Sequence, residues 1–206
     1  MPGVCGSACL LCLPGVVTLL NNFYDKFIFT NALKYKNNNF FLANLPFLIC
    51  PAEILAGLVE TGDDDFNKRL YCSVKQSVSA HFAPPIGQEF GFQGEKLIAF
   101  LEQFFVASGW GLIQSVDLDL QGKKAIVKLS NNPLVPLLHN KPQMPADHLA
   151  RGVIAGLFSY IFQEPVDCVE THCSALGEAD CEFIVKRQHE FDISDKRVQK
   201  QLELEL

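Results

Sequence analysis

The chain has 206 residues, of which 49% are hydrophobic and 19% are charged, with 17 phenylalanines and a formal net charge of −6. This composition supports a sizeable hydrophobic core and excludes an intrinsically disordered chain. The acidic balance argues against nucleic-acid binding, because phosphate contacts need clustered lysine and arginine.

The first 20 residues are apolar but predict neither a signal peptide nor a transmembrane helix. They lack a basic segment, and Pro14 and Gly15 interrupt them. We therefore expect a cytoplasmic protein that does not enter membranes, whose eight cysteines indicate metal or redox chemistry more than disulfides. The spacing of Cys5, Cys9 and Cys12 allows an iron–sulfur cluster, but apolar packing is the simpler interpretation, and their role stays open.

The patterns at the start of the chain predict a helix and then a hairpin. Apolar residues recur at helical spacing over 16–29. Two β-prone runs, 28–36 and 39–49, flank Asn37-Asn38-Asn39, whose side chains tolerate positive φ. Together the two runs predict a β-hairpin.

The following segment predicts two short helices. Pro51 fits the first position of a helix that ends near Val59. The acidic run 63–65 is suited to cap the N-terminus of the next helix and to complement its dipole. We expect this helix to continue to about His81. Two prolines and a glycine within 84–87 then predict a break.

The middle of the chain predicts one strong helix and a second hairpin. Large apolar side chains form a stripe along a helix over 94–107. Apolar and polar residues alternate over 110–119 and 123–130, and Gln121-Gly122 joins the two runs. This pattern is typical of an antiparallel hairpin.

The C-terminal part predicts a helix and two further strands. A proline-rich loop leads to a helix over about 146–162, followed by strands over 166–172 and 180–187. The polar residues after Gln188 are interpreted as a short exposed helix or a frayed tail. The whole favours an α+β fold, with an antiparallel sheet packed against helices.

These elements predict three parts of the chain. Residues 1–90 form an N-terminal helix and hairpin region that packs on the main domain. Residues 91–188 form that main domain, and 189–206 form a polar C-terminal tail.

The residues around Gly177 carry the most specific chemical pattern in the chain. Glu170 and Cys173 stand three residues apart at the end of a predicted strand, and Cys181 begins the next strand. This spacing brings two thiolates and one carboxylate to the same end of a hairpin. Zinc accepts both kinds of ligand in tetrahedral sites.

A fourth ligand has to come from another part of the chain. Asp147 and His148, at the start of the preceding helix, are the natural candidates. A simpler interpretation has Cys173 and Cys181 facing each other half-buried, with Glu170 on the surface. Spacing alone does not decide between the two, because C-x7-C is not a common zinc motif.

Residues 147–187 resemble the 4-vinyl reductase (4VR) domain family, whose hallmark is a helix with two spaced glycines followed by E-x-x-C, a glycine turn and C-x-F. The chain has these features in order: Gly152, Gly156, Glu170-Thr-His-Cys173, Gly177 and Cys181-Glu-Phe183. The family includes sensor domains of phenol-responsive transcription activators, archaeal stand-alone proteins and proteins linked to bacteriochlorophyll synthesis.

The resemblance implies zinc as a structural cofactor that staples the C-terminal hairpin. In the sensor domains one Cys, one Glu and two further Cys hold a zinc ion. Glu170, Cys173 and Cys181 match the last three in type and spacing. The first ligand falls at Asp147 instead of a cysteine, with His148 beside it, so the choice between these two stays open.

The many aromatic residues are explained either by a packed core or by an apolar ligand cavity. The family resemblance implies such a cavity between the helices and the sheet, near the zinc motif. The candidate ligand-binding residues are Phe100, Phe104, Trp110 and Phe158.

Three functions are therefore considered. We favour a sensor-like module that binds a small hydrophobic or aromatic ligand without catalysis. A vinyl-tetrapyrrole reductase or its accessory protein is the second, although the sequence has no dinucleotide-binding glycine motif. The third is an adaptor similar to subunits of tethering complexes. A homodimer is expected, because related domains pair through helices and the chain has abundant apolar helical surface.

Overall fold

The computed structural model describes residues 33–42, 44–139, 145 and 147–202. Within these residues, helices and antiparallel strands form the predicted α+β fold. The helix predicted over 16–29 and the three N-terminal cysteines lie outside the described residues. No helix in the described part of the chain is long and apolar enough to cross a membrane.

The first sheet contains three short antiparallel strands, β1 (Leu33–Lys36), β2 (Asn39–Leu42) and β3 (Leu45–Phe47). Asn37 and Asn38 turn the chain between β1 and β2 at φ values of 51° and 63°, so the hairpin prediction is confirmed. The single strand predicted over 39–49 is wrong. Asn44, with a φ of 63°, turns the chain again, because asparagine tolerates the left-handed conformation.

Three helices follow, α1 (Ala52–Thr61), α2 (Asp64–Ser77) and α3 (Ala83–Phe90), with a π-helical turn (Val78–Phe82) between the last two. Asp63 caps α2 as predicted, accepting a hydrogen bond from the Phe66 N–H at 2.7 Å. Pro51 is the N-cap of α1 and not its first residue. The predicted break at 84–87 is wrong, because both prolines lie in the first turn of α3, where proline is tolerated.

The rest of the fold comprises α4 (Gly94–Ala107), β4 (Leu112–Asp119), β5 (Lys124–Ser130), α5 (His148–Phe162), β6 (Asp167–His172) and β7 (Cys181–Lys186). These four strands form an antiparallel sheet in the order β4-β5-β7-β6, so β6 is an edge strand. A β-bulge between Glu170 and His172 interrupts the pairing of β6 with β7. Bulges of this kind redirect side chains at the end of a strand.

Helix α5 is the buried centre of the fold, and it packs closely against α2. A Cβ atom on Gly156 would lie 2.6 Å from the Lys75 carbonyl oxygen. A Cβ atom on Gly152 would lie 2.9 Å from the Tyr71 carbonyl oxygen. The two glycines therefore allow the two helix backbones to approach each other.

The C-terminal segment is not an exposed tail. Helix α6 (Lys196–Leu202) buries Val198, Gln201 and Leu202. Its apolar residues pack with Val169 of β6. A short helix therefore forms here, as one of the two expectations had it, but it is not exposed throughout. Three buried positions in a mostly polar helix leave too weak a sequence pattern to recognise.

Candidate metal centre and adjoining cavity

Glu170, Cys173 and Cys181 come together at one end of the β6–β7 hairpin. One carboxylate oxygen and the two Sγ atoms all lie within 4.8 Å of one another. The three residues are only 0%, 2% and 0% exposed, respectively, and neither cysteine is in a disulfide. The interpretation that leaves Glu170 on the surface is therefore wrong.

The local backbone sets this arrangement. Glu170 directly precedes the bulge in β6, and Cys181 is the first residue of β7. A 3-10 turn (Ser174–Leu176) connects them and ends at Gly177, whose φ of 99° favours glycine. The turn brings Cys173 beside Cys181.

The surroundings of Cys181 favour its thiolate form. A hydrogen bond with the Cys173 side chain lowers the pKa of the Cys181 thiol to about 6. The Ser174 N–H at 3.3 Å and the Ser174 hydroxyl at 3.1 Å from Cys181 Sγ contribute to this shift. The thiolate is the form that binds metals.

Glu170 is a buried carboxylate with one oxygen left unpaired. Its Oε2 accepts a hydrogen bond from the Asp147 N–H at 3.1 Å, whereas Oε1 is buried without a hydrogen-bond partner among the described residues. Burial, and then the charges of Asp147 and Cys181, raise the pKa of Glu170 well above its usual range. Such a group is costly unless a proton or a cation satisfies it. The two thiols, the unpaired oxygen and the concentrated negative charge fit a metal ion.

Asp147 adjoins this cluster and is also the N-cap of α5. Its Oδ1 accepts a hydrogen bond from the Ala150 N–H at 2.9 Å, and its Oδ2 accepts one from the Asn132 amide at 2.6 Å. Burial raises the pKa of Asp147. Together with Cys173 and Cys181, Asp147 lines a small cavity of about 20 Å³. A void of this size accommodates one water molecule.

His148 faces different neighbours. Its Nδ1 lies 3.3 Å from the Arg151 guanidinium. Burial, followed by the positive charges of Arg151 and Lys200, lowers the pKa of His148 to about 4, so the ring is neutral at neutral pH. Neither Asp147 nor His148 joins the three-residue cluster, but Asp147 is hydrogen-bonded to Glu170 through its backbone N–H.

A larger cavity of about 380 Å³ lies between the first sheet and α4. Phe104 and Trp110 line it, as do Asn132 and Asp147. The first sheet and the segment after it contribute apolar side chains, namely Leu33, Phe40, Leu42, Phe47, Leu48 and Ile49. The volume and the mainly apolar lining are typical of small-molecule sites.

The other two predicted ligand-binding residues lie elsewhere. The Phe100 ring packs against that of Phe90, with 5.1 Å between centroids. The Phe158 ring packs against that of Phe162, with 5.3 Å between centroids. Phe104, one turn further along the same helix, instead packs against Phe47 and Phe82. The structure therefore does not bring the four predicted side chains around one cavity.

The sequence gives no indication of the residue that connects the large cavity to the candidate metal cluster. Asn132 is 7% exposed and lines both the large and the small cavity. Its side-chain amide donates a hydrogen bond to Asp147 Oδ2, and the Asp147 backbone N–H donates one to Glu170 Oε2. The Asn-Asn-Pro sequence at 131–133 indicates a turn but gives no sign of burial.

The comparison with known families agrees with this site. The V4R domain model matches residues 126–187, which include β5, α5 and the β6–β7 hairpin. The match is therefore to this C-terminal segment of the chain. The family resemblance seen in the sequence motif is thereby confirmed. No curated protein sequence matches the chain significantly.

Solved structures similar to this chain include the phenol-responsive sensory domain of the transcription activator PoxR with phenol. The TM-score is 0.69 at 12% identity, over 95% of this chain and 99% of that one. A vinyl-4-reductase family protein from Methanocaldococcus jannaschii has a TM-score of 0.45 at 18% identity, over 88% and 98% of the two chains. A trafficking protein particle complex subunit 3 from Naegleria fowleri, covalently bound to palmitic acid, has a TM-score of 0.46 at 15% identity, over 66% and 93%.

Proposed function

We propose that this chain is a ligand-binding module that encloses a small apolar, aromatic molecule and performs no catalysis of its own. The cavity of about 380 Å³ beside Phe104 and Trp110 carries this proposal. The fold shared with the phenol-responsive PoxR domain supports it. We further propose that a zinc ion braces the wall of this cavity.

The lining suits a ring with one polar substituent. Phe104 and Trp110 offer flat aromatic surfaces, which favour stacked or edge contacts with a second ring. Asn132 and Asp147 place a few polar atoms in an otherwise apolar lining. Such a combination binds the apolar part of a ligand by burial and orients it through a hydrogen bond.

In this proposal Glu170, Cys173 and Cys181 hold the zinc ion, with Asp147 as the fourth ligand. Asp147 is favoured over His148 because it contacts Glu170 and borders the small cavity with both cysteines. Zinc with four protein ligands has no open position, so its contribution is structural. Asn132 and the N-terminus of α5 hold Asp147 in place, which connects this site to the ligand cavity.

Titration of the purified protein with phenol, cresols and cyclohexanol tests the proposed ligand class. Trp110 is the chain's single tryptophan, so its emission reports on the cavity directly. We expect a saturable change in emission with the aromatic compounds and a rise in the melting temperature. At a hundredfold excess over Kd, the free energy of unfolding increases by about 2.7 kcal/mol.

Two variants localise the effect. Ala52 lines the cavity, so Ala52→Phe fills part of it and should abolish the response. Ile193→Phe changes a side chain that is 71% exposed and does not line the cavity, so the response should remain. The proposal fails if no aromatic compound gives a saturable response, or if Ala52→Phe responds like the wild type. Reduction of a vinyl tetrapyrrole with an added nicotinamide cofactor would contradict the absence of catalysis.

A further inference from the structure

The outer edge of β6 is closed by side chains instead of by another strand. Because β6 is the last strand of its sheet, its backbone groups on the side away from β7 need other partners. Cys168 and Glu170 stand two residues apart on this strand, so both direct their backbone groups to the same edge. The Cys168 N–H donates a hydrogen bond to the Tyr71 hydroxyl of α2 at 3.1 Å, and side chains of α5 and α6 provide the other partners.

The side-chain amide of Gln201 in α6 forms two hydrogen bonds with the backbone of Glu170. Its Oε1 accepts a hydrogen bond from the Glu170 N–H at 2.8 Å. Its Nε2 donates a hydrogen bond to the Glu170 carbonyl oxygen at 2.9 Å. An adjacent strand would satisfy the same two groups. Gln201 is only 2% exposed, so water does not compete for these bonds.

Arg151 of α5 stabilises the same contact between β6 and α6. Its Nε donates a hydrogen bond to the Cys168 carbonyl oxygen at 2.9 Å, and its Nη2 donates one to the Gln201 carbonyl oxygen at 3.2 Å. The guanidinium is completely buried and lies 4.4 Å from the centroid of the Tyr71 ring. Arg151 thus connects the edge of β6 with the backbone of α6.

Glu170 contributes the carboxylate of the candidate metal cluster, and Gln201 fixes the backbone that carries it. We propose that Gln201 is a positioning residue for the metal site, so that metal occupancy and docking of α6 are thermodynamically coupled. This inference rests on the proposed metal site. Coupling is reciprocal: if docking of α6 increases metal affinity, metal binding increases the docking of α6 by the same factor.

Helix α6 is short enough for this coupling to be measurable. Its described part, Lys196–Leu202, has seven residues, and a helix of that length is not stable on its own in water. Val198 and Leu202 bury apolar surface against Val169, and Gln201 adds the two backbone hydrogen bonds. The docked state of α6 therefore depends on the conformation of β6 at Glu170.

Zinc affinity of the full chain, measured by competition with a chromogenic chelator, tests the inference. Gln201→Ala removes both hydrogen bonds to Glu170, and we expect zinc affinity to fall by about tenfold or more, as for other residues that orient metal ligands. Gln199→Ala is the matched control, because Gln199 is exposed on the same helix, and its affinity should equal that of the wild type. Equal affinity in Gln201→Ala and the wild type overturns the inference while leaving the metal site intact. A wild type that binds no zinc overturns the metal site and the inference together.

A second measurement uses the wild type, so it does not depend on folding of the variant. Trypsin cleaves after Lys196, Arg197 and Lys200 in α6, and after Lys34 and Lys36 in the exposed β1 hairpin, which serves as an internal reference. We expect zinc to slow cleavage in α6 relative to cleavage in the hairpin. An unchanged ratio of the two rates with and without zinc contradicts the coupling.

Discussion

Asp147 combines two roles that a single substitution separates. Its Oδ1 caps α5 by accepting the Ala150 N–H, and its negative charge lies beside Glu170 and the cysteines. Asp147→Asn keeps an oxygen for the cap but removes the charge and weakens the residue as a zinc ligand. We expect zinc affinity to fall by about tenfold or more, as measured by chelator competition.

His148→Gln, at the neighbouring residue, is the control for Asp147→Asn. The His148 ring contacts Arg151 and not the cluster, so this variant should retain the zinc affinity of the wild type. The opposite pattern, with loss of affinity only in His148→Gln, would assign the fourth ligand to His148.

At the scale of residues, the sequence predicts contacts that are local and misses those that are not. Glu170, Cys173 and Cys181 lie on one hairpin, so their spacing along the chain translates directly into proximity. Gln201 is 31 positions from Glu170, and its position in a polar helix gives no sign of burial. The register of α6 on β6 arises only from tertiary packing, which no local pattern records.

At the scale of elements, strong periodicity gave reliable predictions and turn residues gave ambiguous ones. The helix predicted over 94–107 and the hairpin around Gln121-Gly122 both form. The prolines at 84 and 85 fit a break or the first turn of a helix equally well, because proline lacks only the N–H that a first turn leaves unused. The second turn at Asn44 was missed because one asparagine is a weak turn signal on its own.

The close contact between α2 and α5 predicts that a side chain added at Gly156 destabilises the fold. A Cβ atom on Gly156 would lie 2.6 Å from the Lys75 carbonyl oxygen and 2.7 Å from the Val78 Cβ. Gly156→Ala must therefore push the helices apart. We expect the free energy of unfolding to fall by about 1–3 kcal/mol, as measured by urea denaturation.

Gly57→Ala in α1 provides the comparison, because a Cβ atom there would meet no heavy atom within 4 Å. Alanine favours a helix over glycine by about 0.5–1 kcal/mol, so this variant should be slightly more stable than the wild type. Equal effects of the two substitutions would mean that α2 and α5 are not in close contact.

At the scale of the whole molecule, the large cavity and the candidate metal cluster share one wall. Asn132 and Asp147 line the large cavity, and Asp147 contacts Glu170 through its backbone N–H. If the cluster holds a metal as proposed, removal of that metal should therefore alter the cavity as well as the hairpin. The sequence resemblance predicted that the two sites are neighbours, but the shared wall depends on how the loop containing Asn132 packs on α5.

The expected homodimer stays a prediction at this scale. The described surface includes exposed apolar side chains between β3 and α1 and on α1, namely Leu48, Ile49, Ile54 and Leu58. Apolar residues of this kind are common in protein interfaces, but they do not identify the partner.

The zinc content of the purified full chain, expressed in zinc-replete medium, tests the central claim most directly. We expect about one zinc ion per wild-type chain and little or none in Cys173→Ser. That variant should also melt at a lower temperature, because structural metal binding contributes to the free energy of folding. Cys72→Ser, which changes a cysteine on α2 outside the cluster, should keep its zinc. A wild type without zinc, or a Cys173→Ser variant that retains it fully, would contradict the assignment of Glu170, Cys173 and Cys181 as the metal site.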